Sequence, residues 1–288
     1  MTLIATDLDG TIIRSDGTVS QRTIDAFARR VDAGDSLLFV TGRAPSDALQ
    51  SLPVHLLTGG RMICANGAIE YDALRDEILH VDVIYRDALA HIVALCHRDF
   101  PDGRFCLDSI AGTVFETGHP WISLAREGMS PSRPPESIRV FDDVCDSVDS
   151  ADTMPYKVTF LGGSDFPEEM IAALTPQLDD AVTLTFGSMT DPFFLEIAPR
   201  GVTKGTALMR VAASLGINPV DIVAFGDMPN DIPMFEVAGR SYAMGGAYET
   251  VIHAATDRTA HVDDDGVARV LESLPSPVAP DDLVAHCG

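Results

Sequence analysis

Short, mostly apolar runs alternate along the chain with longer stretches of helical periodicity. Residues 3–6 form one such run and are followed by the polar loop 7–11, and residues 36–40 form another that is followed by the polar loop 41–43. Continuous apolar runs are typical of strands in a parallel sheet, because helices cover both faces of such a sheet. The pattern predicts parallel strands joined by crossover helices, with strands at 3–6, 36–40, 62–65 and 222–225.

The helical stretches place apolar residues three and four positions apart. The first predicted helix follows Ser20, whose hydroxyl can cap it, and ends at Gly34. Its predicted buried face has the spacing i, i+3, i+4, i+7 and consists of Ile24, Phe27, Ala28 and Val31. The same periodicity predicts helices at 87–98 and 203–215.

The middle of the chain has shorter strands. Strands at 69–71 and 78–81 predict a hairpin that leaves the sheet, and further strand candidates lie near Phe105, Val114, Ile138, Val158 and Val182. The parallel pattern returns with a strand at 193–198. We therefore predict an α/β fold with a doubly wound, Rossmann-like parallel-sheet core and an inserted α+β domain. The predicted boundaries are 1–82 and 191–274 for the core, 83–190 for the insertion and 275–288 for a tail.

Composition narrows the classes of function. The 288 residues include 43 Asp and Glu against 20 Lys and Arg, a net charge of −23, and 46% of the residues are hydrophobic. This hydrophobic content predicts a folded chain. The negative charge disfavours nucleic-acid and anionic-lipid partners, which need clustered Lys and Arg. Five widely spaced cysteines, no signal peptide and no apolar run of about 20 residues predict a cytoplasmic protein without a membrane partner.

Candidate chemistry lies in the loops that follow the strands, where ligands bind in open α/β sheets. Asp7 and Asp9 follow the first predicted strand, Thr41 follows the second, and Asp227 and Asp231 follow the last. Carboxylates that converge repel one another unless a divalent cation neutralises them, and hard oxygen ligands favour Mg²⁺. The set predicts a Mg²⁺ site that binds phosphate, in which one carboxylate is a nucleophile and another an acid/base.

These loops resemble the four motifs of the haloacid dehalogenase superfamily of phosphohydrolases. The first motif matches Asp7-Leu8-Asp9-Gly10-Thr11, the second matches Thr41, the third matches Lys204, and the fourth matches Gly226-Asp227-Met228-Pro229-Asn230-Asp231. The Thr-Gly-Arg form of residues 41–43 resembles the Cof-type, sugar-phosphatase-like branch. The motifs occur in the family's order over residues 1 to about 272, and the insertion resembles the large α/β cap domain of that branch.

The resemblance implies roles for the acidic residues. Asp7 is the expected nucleophile and also a metal ligand, and Asp9 is the expected general acid/base, which gives its backbone carbonyl to Mg²⁺. Asp227 is the other expected protein ligand of the metal. Asp231 is expected to support the metal's water shell.

The resemblance also implies roles in binding the phosphate. Thr41 and the Gly42 amide are expected to hold phosphoryl oxygens, and Lys204 to bridge the nucleophile and the phosphate. Asn230 is expected to hydrogen-bond the phosphate, and Asn66 to fix the neighbouring loop of the substrate site.

Two further basic residues are candidates for substrate contact. Lys157 and Lys204 are the only lysines of the chain, and an ammonium serves a different geometry from a guanidinium. Lys157 is therefore expected either to reach the substrate from the insertion or to pair with a surface acid. Arg43 is expected either to contact substrate, to cap a helix or to pair with an acidic neighbour.

The resemblance implies a Mg²⁺-dependent phosphatase that hydrolyses a small phosphorylated metabolite, such as a sugar phosphate, through an aspartyl-phosphate. Two alternatives stay open, a phosphomutase of the same superfamily and a non-catalytic binding or regulatory protein. The organic part of the substrate and the choice between monomer and homodimer are also open.

Overall fold

The computed structural model describes residues 1–126, 137–162, 167–178, 180–186 and 194–275. These residues form an eight-stranded sheet and a six-stranded sheet with helices packed against them. No helix in these ranges is both long and apolar enough to cross a membrane. The predicted tail, beyond its first residue, lies outside the described residues.

The secondary structure follows the predicted alternation closely. The strands are β1 (Leu3–Thr6), β2 (Ser36–Val40), β3 (Arg61–Cys64), β4 (Ile69–Asp72), β5 (Glu77–Val81), β6 (Arg104–Ser109), β7 (Gly112–Glu116), β8 (Ile138–Phe141), β9 (Pro155–Leu161), β10 (Val182–Phe186), β11 (Leu195–Pro199), β12 (Ile222–Gly226), β13 (Arg240–Ala243) and β14 (Asp257–Arg258). The helices are α1 (Gln21–Asp32), α2 (Pro45–Ser51), α3 (Arg86–Asp99), α4 (Ile122–Arg126), α5 (Pro167–Leu178), α6 (Lys204–Leu215), α7 (Ile232–Val237), α8 (Glu249–Ala254) and α9 (Gly266–Ser273).

The larger sheet has the strand order β14-β13-β12-β1-β2-β3-β4-β5. β1 lies at its centre and pairs in parallel with β2 and β12. The predicted hairpin does not leave this sheet: β4 pairs antiparallel with β3, and β5 pairs with β4 at the edge. The expectation is wrong because Ile69 pairs directly with Cys64, so the chain turns back along β3 before it departs.

Both faces of the larger sheet are buried, as a doubly wound fold requires. Successive side chains of a strand point to opposite faces. Accordingly, Ile4 lies in the hydrophobic cluster that includes Phe27 of α1, while Leu3 and Ala5 lie in the cluster that includes Leu208 of α6. The helices on both faces hold the central strands in place, and the loops after β1, β2 and β12 come out at one edge.

Helix α1 confirms the predicted cap but not the whole predicted face. The Ser20 hydroxyl accepts a hydrogen bond from the Thr23 amide at the N-terminus. Ala28, however, is exposed, and Ala26 is buried in its place. The helix therefore lies on the sheet with a buried face turned toward Ala26 and Arg30, where the guanidinium pairs with Asp35.

The smaller sheet has the strand order β10-β11-β9-β6-β7-β8. The sequence pattern groups the strand at 193–198 with the core, and this grouping is wrong, because β11 pairs antiparallel with β9 and β10. Apolar and polar residues alternate along the central strands, so that Val158 and Phe160 of β9 are in the hydrophobic cluster under α3 and α5. Lys157 and Thr159 consequently point to the opposite face, which is turned toward the loops of the larger sheet.

Candidate functional site

Three predicted acidic residues meet at the edge of the larger sheet. Asp7 follows β1 and Asp227 follows the neighbouring parallel strand β12, while Asp231 ends the short 3₁₀ turn Pro229–Asp231. One carboxylate oxygen from each of the three lies within 4.8 Å of the others. The cluster forms because adjacent parallel strands end side by side, as the sequence pattern predicts.

Lys204 lies inside this cluster. It is the first residue of α6, whose N-cap is Thr203, and its side chain is 1% exposed. Its Nζ donates to Asp7 Oδ1 at 2.7 Å and to Asp231 Oδ1 at 2.6 Å. The ammonium therefore bridges the first and fourth motifs, which are far apart in sequence.

Asp231 organises the loop after β12. Its carboxylate is fully buried, and Oδ2 accepts hydrogen bonds from the amides of Asp227 and Met228, both at 2.9 Å. A Cβ on Gly226 would lie 2.4 Å from the Asp231 carboxylate, so only glycine fits there. Both oxygens of Asp231 are thus engaged by the protein.

Electrostatics make the cluster unfavourable without a further cation. Burial raises the pKa of Asp7 well above its usual range, Asp231 and Asp227 raise it further, and Lys204 opposes them. Burial and the Asp231 charge raise the pKa of Asp227 to about 7, again against Lys204. Burial alone would lower the pKa of Lys204, but the attraction of Asp231 and Asp7 outweighs it and the pKa is raised. One ammonium faces three carboxylates.

The donor set fits a hard divalent cation. Carboxylate oxygens are the ligands that Mg²⁺ takes in proteins, and a second positive centre would relieve the repulsion just described. Gly10 leaves room for this arrangement: its φ is +74°, and a Cβ there would lie 2.4 Å from Asp227 Oδ2. The loop after β1 can therefore pack directly on the Asp227 carboxylate, whose Oδ1 accepts from the Thr11 hydroxyl at 3.3 Å.

Asp9 lies apart from the three buried acids. Its side chain is 54% exposed and forms a two-pronged ion pair with Arg43, with Arg43 Nε 2.7 Å from Oδ2 and Nη2 2.6 Å from Oδ1. This hydrogen bond, more than the charge of Asp9, raises the pKa of Arg43. Of the three expected roles for Arg43, the structure therefore shows pairing with an acidic neighbour, Asp9.

The remaining predicted binding residues form a hydrogen-bonded chain between the two sheets. Lys157 Nζ lies 2.6 Å from Glu196 Oε1 and donates to the Gly42 carbonyl at 3.1 Å. Asn66 Nδ2 donates to Glu196 Oε2 at 2.8 Å, and Asn230 Nδ2 donates to Asn66 Oδ1 at 3.0 Å. Lys157 therefore reaches the loop of the second motif, and the expectation of a surface acid as its partner is wrong, because Glu196 is buried between the two sheets.

A cavity of about 300 Å³ lies between the two sheets. Its floor includes Asp7, Thr41 and Lys204 from the larger sheet, and the smaller sheet supplies the opposite wall. Several lining residues are not among those predicted from the sequence, namely Ala44, Asp47, Asp108, Trp121, Thr159, Phe194 and Glu196. The period-two alternation of β6, β9 and β11 was the signal that could have indicated Asp108, Thr159 and Glu196.

Comparison with known proteins identifies one family whose sequence model matches nearly the whole chain. A sequence model of the haloacid dehalogenase-like hydrolases matches residues 4–271. Phosphatase YwpJ of Bacillus subtilis is 27% identical over 292 residues, which cover 95% of this chain and 100% of that protein. Pyridoxal phosphate phosphatase YbhA of Escherichia coli is 27% identical over 272 residues, covering 94% and 97%.

Solved structures agree with the sequence comparison. BT1666 of Bacteroides thetaiotaomicron, described among the phosphatases of the same superfamily, is 26% identical, with a TM-score of 0.75 over 94% of each chain. The shared architecture therefore includes both sheets.

Proposed function

The chain belongs to the haloacid dehalogenase-like hydrolases, and we propose on that basis that it is a Mg²⁺-dependent phosphatase. It would hydrolyse a small phosphorylated metabolite through an aspartyl-phosphate. The observation that carries the proposal is the buried Asp7 carboxylate, which lies 2.7 Å from Lys204 Nζ on the floor of the cavity. The relatives YwpJ and YbhA, which are both named as phosphatases, support the hydrolysis of a phosphate ester.

The side chains of Asp7 and Asp227, with the backbone carbonyl of Asp9, would hold the Mg²⁺. When bound, the ion would neutralise charge on the phosphoryl oxygens. Asp231, whose oxygens are both engaged by Lys204 and by backbone amides, would support the ion from behind. Lys204 would supply the second positive charge next to the phosphate.

The two carboxylates of the first motif would have different roles in the reaction. An Asp7 oxygen would attack phosphorus while the bond from phosphorus to the ester oxygen breaks, and Asp9 would give that oxygen a proton. Water would then attack phosphorus and give a proton to Asp9 while the bond from phosphorus to the Asp7 oxygen breaks, which releases inorganic phosphate and restores the Asp7 carboxylate. The ion pair with Arg43 would keep Asp9 at the cavity wall between these steps.

The organic part of the substrate would lie against the aromatic wall of the cavity. Trp121 and Phe194 meet edge to face with ring centroids 5.3 Å apart, and both line the cavity. Asp108 lines the same cavity, so a second anionic group on the substrate would be disfavoured beside it. We propose a monophosphate with an uncharged or cationic, ring-bearing organic part, for which the relative YbhA offers one precedent in its name.

The test is hydrolysis of p-nitrophenyl phosphate and a panel of phosphorylated metabolites by purified protein, with Mg²⁺ and with chelator. We expect turnover that needs Mg²⁺ and is abolished in Asp7→Asn, with circular dichroism unchanged. Full activity in that variant, or activity indifferent to chelator, would overturn the mechanism. Measurement of free phosphate separates the phosphomutase alternative, since a mutase releases little of it.

A further inference from the structure

The Glu196 carboxylate connects the two sheets at the back of the cavity. It projects from β11 of the smaller sheet, is 6% exposed, and has a different partner on each oxygen. Oε1 pairs with Lys157 of the adjacent strand β9, and Oε2 accepts from Asn66, which follows β3 of the larger sheet.

This carboxylate fixes the orientation of two side-chain amides in succession. An ionised carboxylate only accepts hydrogen bonds, so Asn66 must turn its NH₂ group toward Glu196 and its Oδ1 away. Asn66 Oδ1 is an acceptor only, so Asn230 must in turn present its own NH₂ group, at 3.0 Å. The charge at residue 196 thus determines how both amides point.

The orientation of the Asn230 amide affects the cavity wall, which Asn230 helps to form. With its NH₂ group held by Asn66, Asn230 keeps Oδ1 buried and without a hydrogen-bond partner among the described residues. A buried acceptor of this kind is costly unless a donor binds to it. In the orientation set by Glu196, the group of Asn230 that lacks a partner is therefore an acceptor, and Asn230 is one of the residues that line the cavity.

The backbone at Asn66 is held in an unusual conformation. Asn66 and the preceding Ala65 both have positive φ, 56° and 51°, a conformation that non-glycine residues hold only when their surroundings fix it. The backbone N–H of Asn66 donates to the Thr41 carbonyl. A Cβ on Gly42 would lie 3.0 Å from the side-chain Oδ1 of Asn66. The Asn66 side chain is thus packed against the loop of the second motif.

We propose that Glu196 is a positioning residue that orients the Asn66 and Asn230 amides and, through Lys157, couples that orientation to the seating of the smaller sheet on the core. The proposal rests on the phosphatase function proposed above. Glu196 does not act on the phosphate itself. Its effect on the Asn66 and Asn230 amides requires contact between the two sheets, because Glu196 belongs to the smaller sheet and Asn66 follows a strand of the larger one.

Two double variants isolate this role, Lys157→Met with Glu196→Gln and Lys157→Met with Glu196→Leu. Both remove the same two charges, so neither leaves an unpaired buried ion, and they differ in whether an acceptor faces Asn66. We expect the Leu variant to have about 10- to 100-fold lower kcat/KM than the Gln variant, the range seen when supporting hydrogen bonds of a site are lost. Their melting temperatures should be similar.

A readout independent of activity is hydrogen exchange of the Asn66 and Asn230 side-chain amides, followed by NMR. Exchange should be slow in the wild type and in the Gln variant, and faster in the Leu variant. Glu116→Leu is the matched control, since Glu116 is also a buried carboxylate of the smaller sheet but accepts from the Phe105 amide instead. That variant should leave the exchange of both Asn side chains unchanged.

Equal exchange and kcat/KM within twofold in the two double variants would overturn the proposal. Failure of the phosphatase proposal is recognised separately, as absence of turnover in the wild type. In that case the exchange rates alone decide, and equal rates in the two double variants refute the positioning role.

Discussion

Replacing Asp227 by Asn should make the metal-free protein more stable at neutral pH. Burial and the neighbouring Asp231 raise the pKa of Asp227 from 3.8 to about 7 in the folded state. Between these values the folded protein holds a proton that the unfolded chain has released, so the free energy of unfolding falls as pH rises through this window. An Asn at this position has no charge to bury and can still accept from the Thr11 hydroxyl.

The size of the effect follows from the same shift. A pKa raised from 3.8 to about 7 corresponds to about 4 kcal/mol at 1.36 kcal/mol per pH unit. Water entry and side-chain relaxation reduce such penalties, so we expect Asp227→Asn to gain about 2 to 4 kcal/mol at pH 7. For a chain of this size that is a rise in melting temperature of about 3–7 °C. Near pH 4 the variant and the wild type should melt together.

The assay is thermal unfolding between pH 4 and pH 8, in chelator and in millimolar Mg²⁺. Mg²⁺ should raise the melting temperature of the wild type, because a ligand that binds only the folded state stabilises it. It should have little effect on Asp227→Asn. The contrasting control is Asp35→Asn, which removes a buried carboxylate already paired with Arg30 and should therefore lower stability.

This stabilisation would be refuted by a metal-free Asp227→Asn protein that melts at or below the wild-type temperature at pH 7. It would also be refuted if the stability of the metal-free wild type did not fall relative to that of the variant between pH 4 and pH 7. Either result would mean that the cluster is not strained by its own charge, and that the argument for a bound divalent cation loses its electrostatic basis.

Three further predictions concern the same cavity. Lys204→Met should lower kcat about 100- to 1000-fold in the phosphatase assay, and near-normal turnover would contradict its role. The same variant should be less stable by about 3–5 kcal/mol in thermal unfolding, because two buried carboxylates lose their cation. Gly10→Ala should weaken Mg²⁺ binding measured by calorimetry, since the added Cβ would overlap the Asp227 carboxylate, and an unchanged affinity would show that the loop yields easily. Trp121→Ala should raise KM about tenfold for a ring-bearing phosphomonoester but not for glycerol phosphate; an equal change for both would argue against stacking on the aromatic wall.

The cluster of acids could be predicted from the sequence because each of its members follows a local pattern. Apolar runs identify the strands, and parallel strands release their loops at the same edge of a sheet. Asp7 and Asp227 therefore had to lie near each other once β1 and β12 were neighbours. The Lys204 ammonium follows as well, since it begins the helix that precedes β12 and the motifs occur in one order.

The sequence left undecided how the smaller sheet meets this edge. The strand β11 has an apolar pattern that suits either sheet, and only pairing with β9 and β10 assigns it. Glu196 and Asn66 are 130 positions apart and carry no shared local signal. Period-two alternation can indicate that Glu196 faces away from the hydrophobic core, but not which amide it meets.

The sequence by itself therefore determined the fold class and the residues of the acidic cluster, since strand periodicity and loop position are properties of neighbouring residues. The tertiary structure alone decided that Arg43 pairs with Asp9, that Lys157 pairs with a buried carboxylate, and that the hairpin β4–β5 stays in the larger sheet. The physical reason is that ion pairs and strand pairing at an edge depend on distances between segments remote in sequence, which no local pattern encodes.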